Sequence, residues 1–157
     1  MPQFEFISFD HNDLDIIKTL WEGLCEHHFK NSIHFKHRYA KMTFESRKAD
    51  LIKKLDHGKM RIDIAVEYES KNSIGYCINT IIYEPALEGE IDSLFVHPDF
   101  RRKGIAEKLM KLALEWFDSN NVSSRKIVVA AGNEEVFPFY EKFGFYHKFS
   151  TLENKLI

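Results

Sequence analysis

The sequence predicts an α/β fold of the α+β kind, a mixed and mostly antiparallel sheet flanked by helices. Three observations predict it. Gln3 to Phe9, Arg61 to Tyr68 and Ile74 to Tyr83 carry the alternation and β-formers of strands. Leu14 to His28 and Lys103 to Asn121 repeat apolar residues every three or four positions, the period of a helix with one buried face. The run Ile127-Val128-Val129-Ala130 is apolar on both faces, as in a central, parallel strand. At 157 residues the chain has the length of one domain, read here as residues 1–157.

The elements follow in order. Phe4, Phe6 and Phe9 mark the first strand, and Asn12 is the expected N-cap of a helix carrying Leu14, Ile17, Trp21, Leu24 and His28. A second helix is expected from Thr43, its cap, to about Asp56, with Gly58 as the stop. Between them, residues 30–42 are rich in His, Lys and aromatics and read as a polar loop or helix turn. His27, His28, His34 and His37 raise a metal reading, but no second ligand cluster at zinc-like spacing accompanies them, and no metal is expected. Ile62, Ile64, Val66 and Tyr68 alternate with Arg61, Asp63 and Glu67, which predicts a hairpin with one face on a core. Glu90 to Val96 is a further strand. A helix from Glu134 to Phe143 keeps Pro138 near its first turn, Gly144 ends it, and Phe145 to about Thr151 is expected as a last strand. The predicted order is β-α-α-β-β-β-α-β-α-β.

Composition excludes several classes. A net charge of −2 disfavours a general nucleic-acid binder. No apolar run approaches a membrane span, and no secretory pattern opens the chain. Two cysteines, Cys25 and Cys77, fit packed thiols in a reduced, cytoplasmic protein better than a disulfide.

Arg101-Arg102-Lys103-Gly104-Ile105-Ala106 stands between the strand and the long helix. The first N–H groups of a helix lack internal partners, and the helix dipole adds partial positive charge there. Three cationic side chains strengthen that field, and Gly104 has no Cβ to fend off a ligand. The turn is a candidate seat for a phosphate or pyrophosphate, with a solvated helix start as the bland alternative. It resembles the Arg/Gln-x-x-Gly-x-Gly/Ala signature of the GNAT superfamily of acyl-CoA-dependent N-acyltransferases, with Arg101, Gly104 and Ala106 at the defining positions. Asn133 to Phe145 resembles the second signature, Asn-x-x-Ala-x-x-Phe-Tyr-x-x-x-Gly-Phe. Asn133, Phe139, Tyr140, Gly144 and Phe145 match it, and Val136 replaces the usual alanine.

The resemblance implies an acetyl-CoA-dependent N-acetyltransferase acting on a primary amine of a small molecule or peptide. It implies that the turn holds the coenzyme A pyrophosphate, that the main chain of Leu94, Phe95 and Val96 pairs with the pantetheine arm, and that Asn133 and Phe139 also line the cofactor. Lys142 meets a phosphate or solvent equally well. Glu90 and Asp92, two apart on one strand, project to one face. In the family, Glu90 stands at a common general-base position and Asp92 at another acidic one, with Glu90 slightly preferred. Solvated carboxylates at a strand start are the alternative. Tyr140 matches the family's general acid for the departing thiolate, against a core aromatic. Homodimers are common in the family, and neither nucleic acid nor membrane is an expected partner. A non-catalytic acyl-CoA-binding module would keep the turn but need neither carboxylate nor Tyr140.

Overall fold

Strands β2 (Gly58–Glu67) and β3 (Ser73–Ile82) are apolar on both faces and form the centre of a five-stranded sheet in the computed structural model, which describes residues 3–155. The order is β1-β2-β3-β4-β5, with β1 at Phe4–Phe9, β4 at Glu88–Val96 and β5 at Arg125–Ile127. The first four strands run antiparallel, and β5 joins β4 in parallel. The helices are α1 (Lys18–Asn31), α2 (Lys36–Lys41), α3 (Phe44–Lys53), α4 (Ile105–Ser119) and α5 (Phe137–Glu141).

Each face of the sheet has its own core. Ile62, Ile64, Tyr76 and Ile78 pack against Leu14, Leu20, Trp21, Phe44 and Leu51, which belong to α1, α3 and the 3-10 turns before α1. On the other face Ala65, Cys77, Ile81 and Ile91 meet Ile105, Leu109, Met110, Ala113 and Phe117, one stripe of α4 at three- and four-residue spacing. The β2–β3 hairpin is therefore covered on both sides, where alternation predicted one. Asp63 carries the polar half of that pattern into the interior and is satisfied there by Ser8 Oγ at 2.6 Å and the Arg61 guanidinium at 3.0 Å.

Other expectations need correction. Asp10, not Asn12, caps the first helical segment by accepting from the Asn12 N–H at 2.8 Å, and residues 11–17 wind as 3-10 turns before α1. Thr43 does cap α3, its Oγ1 accepting from Ser46 N–H at 3.2 Å, but the α-helix ends at Lys53 and a 3-10 turn covers residues 54–57. Gly58 follows in extended conformation, where an added Cβ would stand 2.3 Å from the Ile81 carbonyl oxygen. The His-rich segment contains the short helix α2. The helix expected from Glu134 is a 3-10 turn, Glu134–Val136, followed by α5, with Pro138 inside its first turn. The parallel strand spans Arg125–Ile127 rather than Ile127–Ala130 and lies at the sheet edge. Beyond Ile127 the chain leaves the ladder, and Val128 is 75% exposed. No strand forms over residues 145–151: β5 pairs through three residues only and then diverges, so the segment finds no partner.

Phe117 ties α4 to β4: its ring abuts Gly89, where even a Cβ would approach to 2.8 Å. Phe117→Ala is expected to cost about 3–5 kcal/mol, read as a lowered urea midpoint at unchanged slope.

Candidate active site

The β4 ladder contains one extra residue. Ile78 pairs with Ser93 and Asn79 with Ile91, so Asp92 is a β-bulge. A bulge turns two successive side chains to the same side and bends the strand. Glu90 and Asp92 face α3, as their spacing requires, and Ser93 faces that side too, its hydroxyl 2.6 Å from Tyr76 Oη. After the bulge the phase is reset: Phe95 packs with the α1/α3 core, and Leu94 and Val96 with the α4 core.

The bulge coincides with the end of the next ladder. β5 pairs with Gly89, Glu90 and Ile91 and no further, so the β4 edge from Asp92 to Val96 carries no strand on that side among the described residues. Asp92 illustrates the consequence. Its side chain is 1% exposed while the residue as a whole is half-buried, so what remains accessible is main chain. The stretch expected to pair with an extended ligand, Leu94 to Val96, lies on this unpaired edge.

The two carboxylates sit in a charge network that the sequence did not reveal. Lys54, just past the end of α3, bridges both: its ammonium bonds Asp92 Oδ1 and lies 3.3 Å from Glu90 Oε1. Thr80 Oγ1 donates to Asp92 Oδ2 at 2.7 Å, and Arg47 donates to the Asp92 carbonyl at 3.1 Å. Both oxygens of Asp92 are thus engaged. Glu90, 17% exposed, is more loosely held, with Lys126 Nζ at 3.7 Å on its other side and that lysine closer to Glu88, at 2.8 Å. Burial pushes the Asp92 carboxyl above the ordinary range; the Lys54 ammonium opposes this, and Glu90 adds to it.

Tyr140 occupies the opposite face. It packs from α5 into the α4 core, and burial, reinforced by Cys77, raises its phenol well above the usual range. It is a neutral donor at neutral pH. The carboxylates and Tyr140 belong to opposite faces of the sheet, the carboxylates to the α3 side and Tyr140 to the α4 side. Phe139 packs beside Tyr140, ring centroids 5.4 Å apart, and Lys142 is exposed on the turn after α5.

The basic turn takes the predicted place. Gly104 caps α4 with φ +80°, a left-handed backbone that favours glycine, and an added Cβ would meet nothing within 4 Å. The approach to the first N–H groups of Ile105 and Ala106 is open. Arg102 and Lys103 are exposed, whereas Arg101 is partly committed: its Nε donates to the Val96 carbonyl at 3.1 Å and its guanidinium lies over the Phe95 ring.

Asn133 is anchored by a helix at the other end of the chain. His27 Nε2–H donates to Asn133 Oδ1 at 3.1 Å, and Asn31 lies 3.4 Å from His27 Nδ1. Gly132, at φ +99°, makes this possible, since a Cβ there would stand 2.3 Å from the Asn31 carbonyl oxygen. His27 thus serves as a hydrogen-bonded strut, and His28 stacks near Tyr39; among the described residues no three His, Cys, Asp or Glu side chains converge on a metal-sized site.

The sign of the Asp92 shift gives a test. A carboxyl raised in the folded state favours folding below its unfolded pKa and loses that contribution as pH rises through the folded value. Lys54→Met removes the main opposing charge and raises Asp92 further. The variant is expected to melt near wild type at about pH 4 and to fall progressively behind as pH rises, by roughly 3 kcal/mol at neutrality, the low end for breaking a buried pair. A pH-independent loss would contradict this account.

No curated protein matches the sequence. Solved structures do resemble the fold. A GCN5-related N-acetyltransferase from Ralstonia eutropha JMP134 is 17% identical with a TM-score of 0.74, covering 96% of this chain and 97% of that one. A ribosomal-protein-alanine N-acetyltransferase from Brucella melitensis biovar Abortus 2308 is 16% identical with a TM-score of 0.67, at 98% and 99% coverage. The enzyme AAC(6')-Iy, in complex with the bisubstrate analog CoA-S-monomethyl-acetylneamine, is 14% identical with a TM-score of 0.69, at 99% of both chains. The sequence itself matches the acetyltransferase (GNAT) family over residues 18–145, a span that takes in the bulged strand, the basic turn and Tyr140. With most of its length inside that match, the chain belongs to the GNAT family of acetyltransferases and is an acyltransferase.

Proposed function

We propose that this protein, acting as one domain over residues 1–157, moves an acetyl or other short acyl group from acetyl-CoA to a primary amine by direct attack. The observation that carries the reading is the unpaired β4 edge that begins at the Asp92 bulge, beside the Glu90 and Asp92 carboxylates, with Tyr140 packed on the other face of the sheet. An extended pantetheine arm laid along Leu94, Phe95 and Val96 adds the missing strand by β-augmentation. Its phosphates then lie toward Arg102, Lys103 and the free N–H groups of Gly104, Ile105 and Ala106, with Arg101 bracing the turn and Asn133 and Phe139 lining the arm.

The reacting amine arrives as an ammonium. With a pKa near 10.4, only about one lysine-like amine in a few thousand is neutral at pH 7. A carboxylate that accepts the proton removes that obstacle. Glu90 is the better placed of the two: it is less buried and less tightly bonded, whereas both Asp92 oxygens already have donors. Asp92 accordingly holds Lys54 and fixes the bulge. The neutral amine attacks the thioester carbon, a main-chain N–H of the free edge polarises the carbonyl oxygen, and Tyr140 donates to the departing sulfur.

For the acceptor, a groove of about 460 Å³ runs between α1, α2 and the start of α3, lined by Trp21, Glu22, Glu26, Phe29 and Tyr39 among others. Arg47, one turn into α3, reaches the Asp92 carbonyl, so groove and carboxylates share one helix. The charges around it are largely paired: Lys18 of the lining with Glu45 at 3.5 Å, Lys30 with Glu26 at 3.2 Å and Arg38 with Glu153, while Lys36 lies over the Phe29 ring. Glu22, which has no ion-pair partner among the described residues, and the aromatic walls favour a cationic amine with an apolar body, in a small molecule or a peptide, over an acidic acceptor.

Calorimetric titration with acetyl-CoA is expected to give micromolar binding that Arg101→Ala combined with Gly104→Asp abolishes. In an amine screen, Glu90→Gln and Tyr140→Phe are expected to lose turnover by about 10²–10⁴-fold while still binding acetyl-CoA. Full turnover in both variants would reject the assigned roles.

A further inference from the structure

Lys54 is a primary amine held where the proposed acceptor amine has to react. Its Nζ touches Asp92 Oδ1 and Glu90 Oε1, the carboxylates at the bulge where the free edge of β4 begins. Its side chain is 27% exposed, so it has room to move, and it sits just past the last turn of α3 rather than within a rigid strand. We propose that Lys54 is a self-acetylation site: with acetyl-CoA bound and no acceptor present, Lys54 takes the acyl group in the acceptor's place. This rests on the acetyl-CoA placement argued above.

The step balances with the groups at hand. The Lys54 ammonium gives one proton to Glu90, and the neutral nitrogen attacks the thioester carbon. An N–C bond forms, the C–S bond breaks with its electron pair passing to sulfur, and the second nitrogen proton leaves as the thiolate is protonated through Tyr140. The products are N-acetyl-Lys54, free coenzyme A and one proton released to solvent by Glu90. No oxidant or further reactant is needed. The product amide is uncharged, so Asp92 and Glu90 lose their shared cation, and the acetamide fills the space in front of them. Modification is therefore expected to switch the enzyme off when donor is plentiful and acceptor scarce.

Lys126 supplies an internal control. It lies on β5, 3.7 Å from Glu90 and closer to Glu88, and forms no ion pair with Asp92.

The experiment incubates the full-length protein with acetyl-CoA alone and maps acetyl-lysine by peptide mass spectrometry over time, beside calorimetric binding of acetyl-CoA. The expected result is acetylation of Lys54 at least about tenfold faster than of any other lysine, Lys126 included, as pre-positioned reactants require. Its rate is expected to be independent of protein dilution, because the amine and the donor share one chain. Lys54→Arg, which keeps the ion pairs but offers no acylable amine, is expected to lose that acetyl group while still binding acetyl-CoA. Binding without Lys54 modification would overturn self-acetylation and leave the proposed function standing. So would acetyl groups spread evenly over the lysines, or placed on Lys126 first. Failure to bind acetyl-CoA at all would overturn both.

Discussion

One extra residue in β4 sets the geometry on which this site depends. Without the bulge at Asp92, strict alternation would send Ser93 to the α4 face and Phe95 with it, and β5 would have a straight neighbour to follow. With it, Glu90, Asp92 and Ser93 all face α3, Tyr76 finds its hydroxyl partner, and the parallel ladder stops at Ile91. A bulge leaves backbone groups without their ladder partners. In a protein interior that is costly, and here it falls where a ligand strand can supply what β5 does not.

The parts of this arrangement that are local in sequence were legible. A strand, a turn of Arg101, Arg102 and Lys103, a glycine and a helix of apolar period can be read in one continuous stretch, Glu88 to Ser119. The structure adds that Gly104 takes a positive φ, which favours glycine, and that no atom crowds it. Glu90 and Asp92 were also legible, because a two-residue spacing fixes their common face whatever surrounds them. Tyr140 was singled out by its motif, though not its place on the sheet face opposite the carboxylates.

The rest depended on partners distant in the chain. Phe145 to Thr151 is rich in aromatics and reads as a strand, but a strand exists only where an edge is free to pair, and β5 diverges after three residues. The bulge is a mismatch between β3 and β4, invisible in either alone. Asn133 was singled out, but the reason for its fixed orientation lies more than a hundred residues earlier, in His27. Lys54 was least legible of all. A lysine at a helix end is among the commonest surface features, and nothing local separates it from Lys53, which the structure leaves without a role.

That Lys54 matters follows from charge accounting at the site. Glu88, Glu90 and Asp92 lie on one strand within five residues, with Lys54 and Lys126 as the facing ammonium groups. Asp92 is too buried to carry an uncompensated charge, as its raised pKa records, so some cation has to stand before it. A site that takes the proposed cationic amine meets the same requirement each time the acceptor leaves. Lys54 meets it in the empty enzyme, which places an amine of the protein itself beside the proton acceptor. The carboxylates that hold Lys54 in the empty enzyme are therefore the same groups that, in the proposed self-acetylation, stand ready to take its proton.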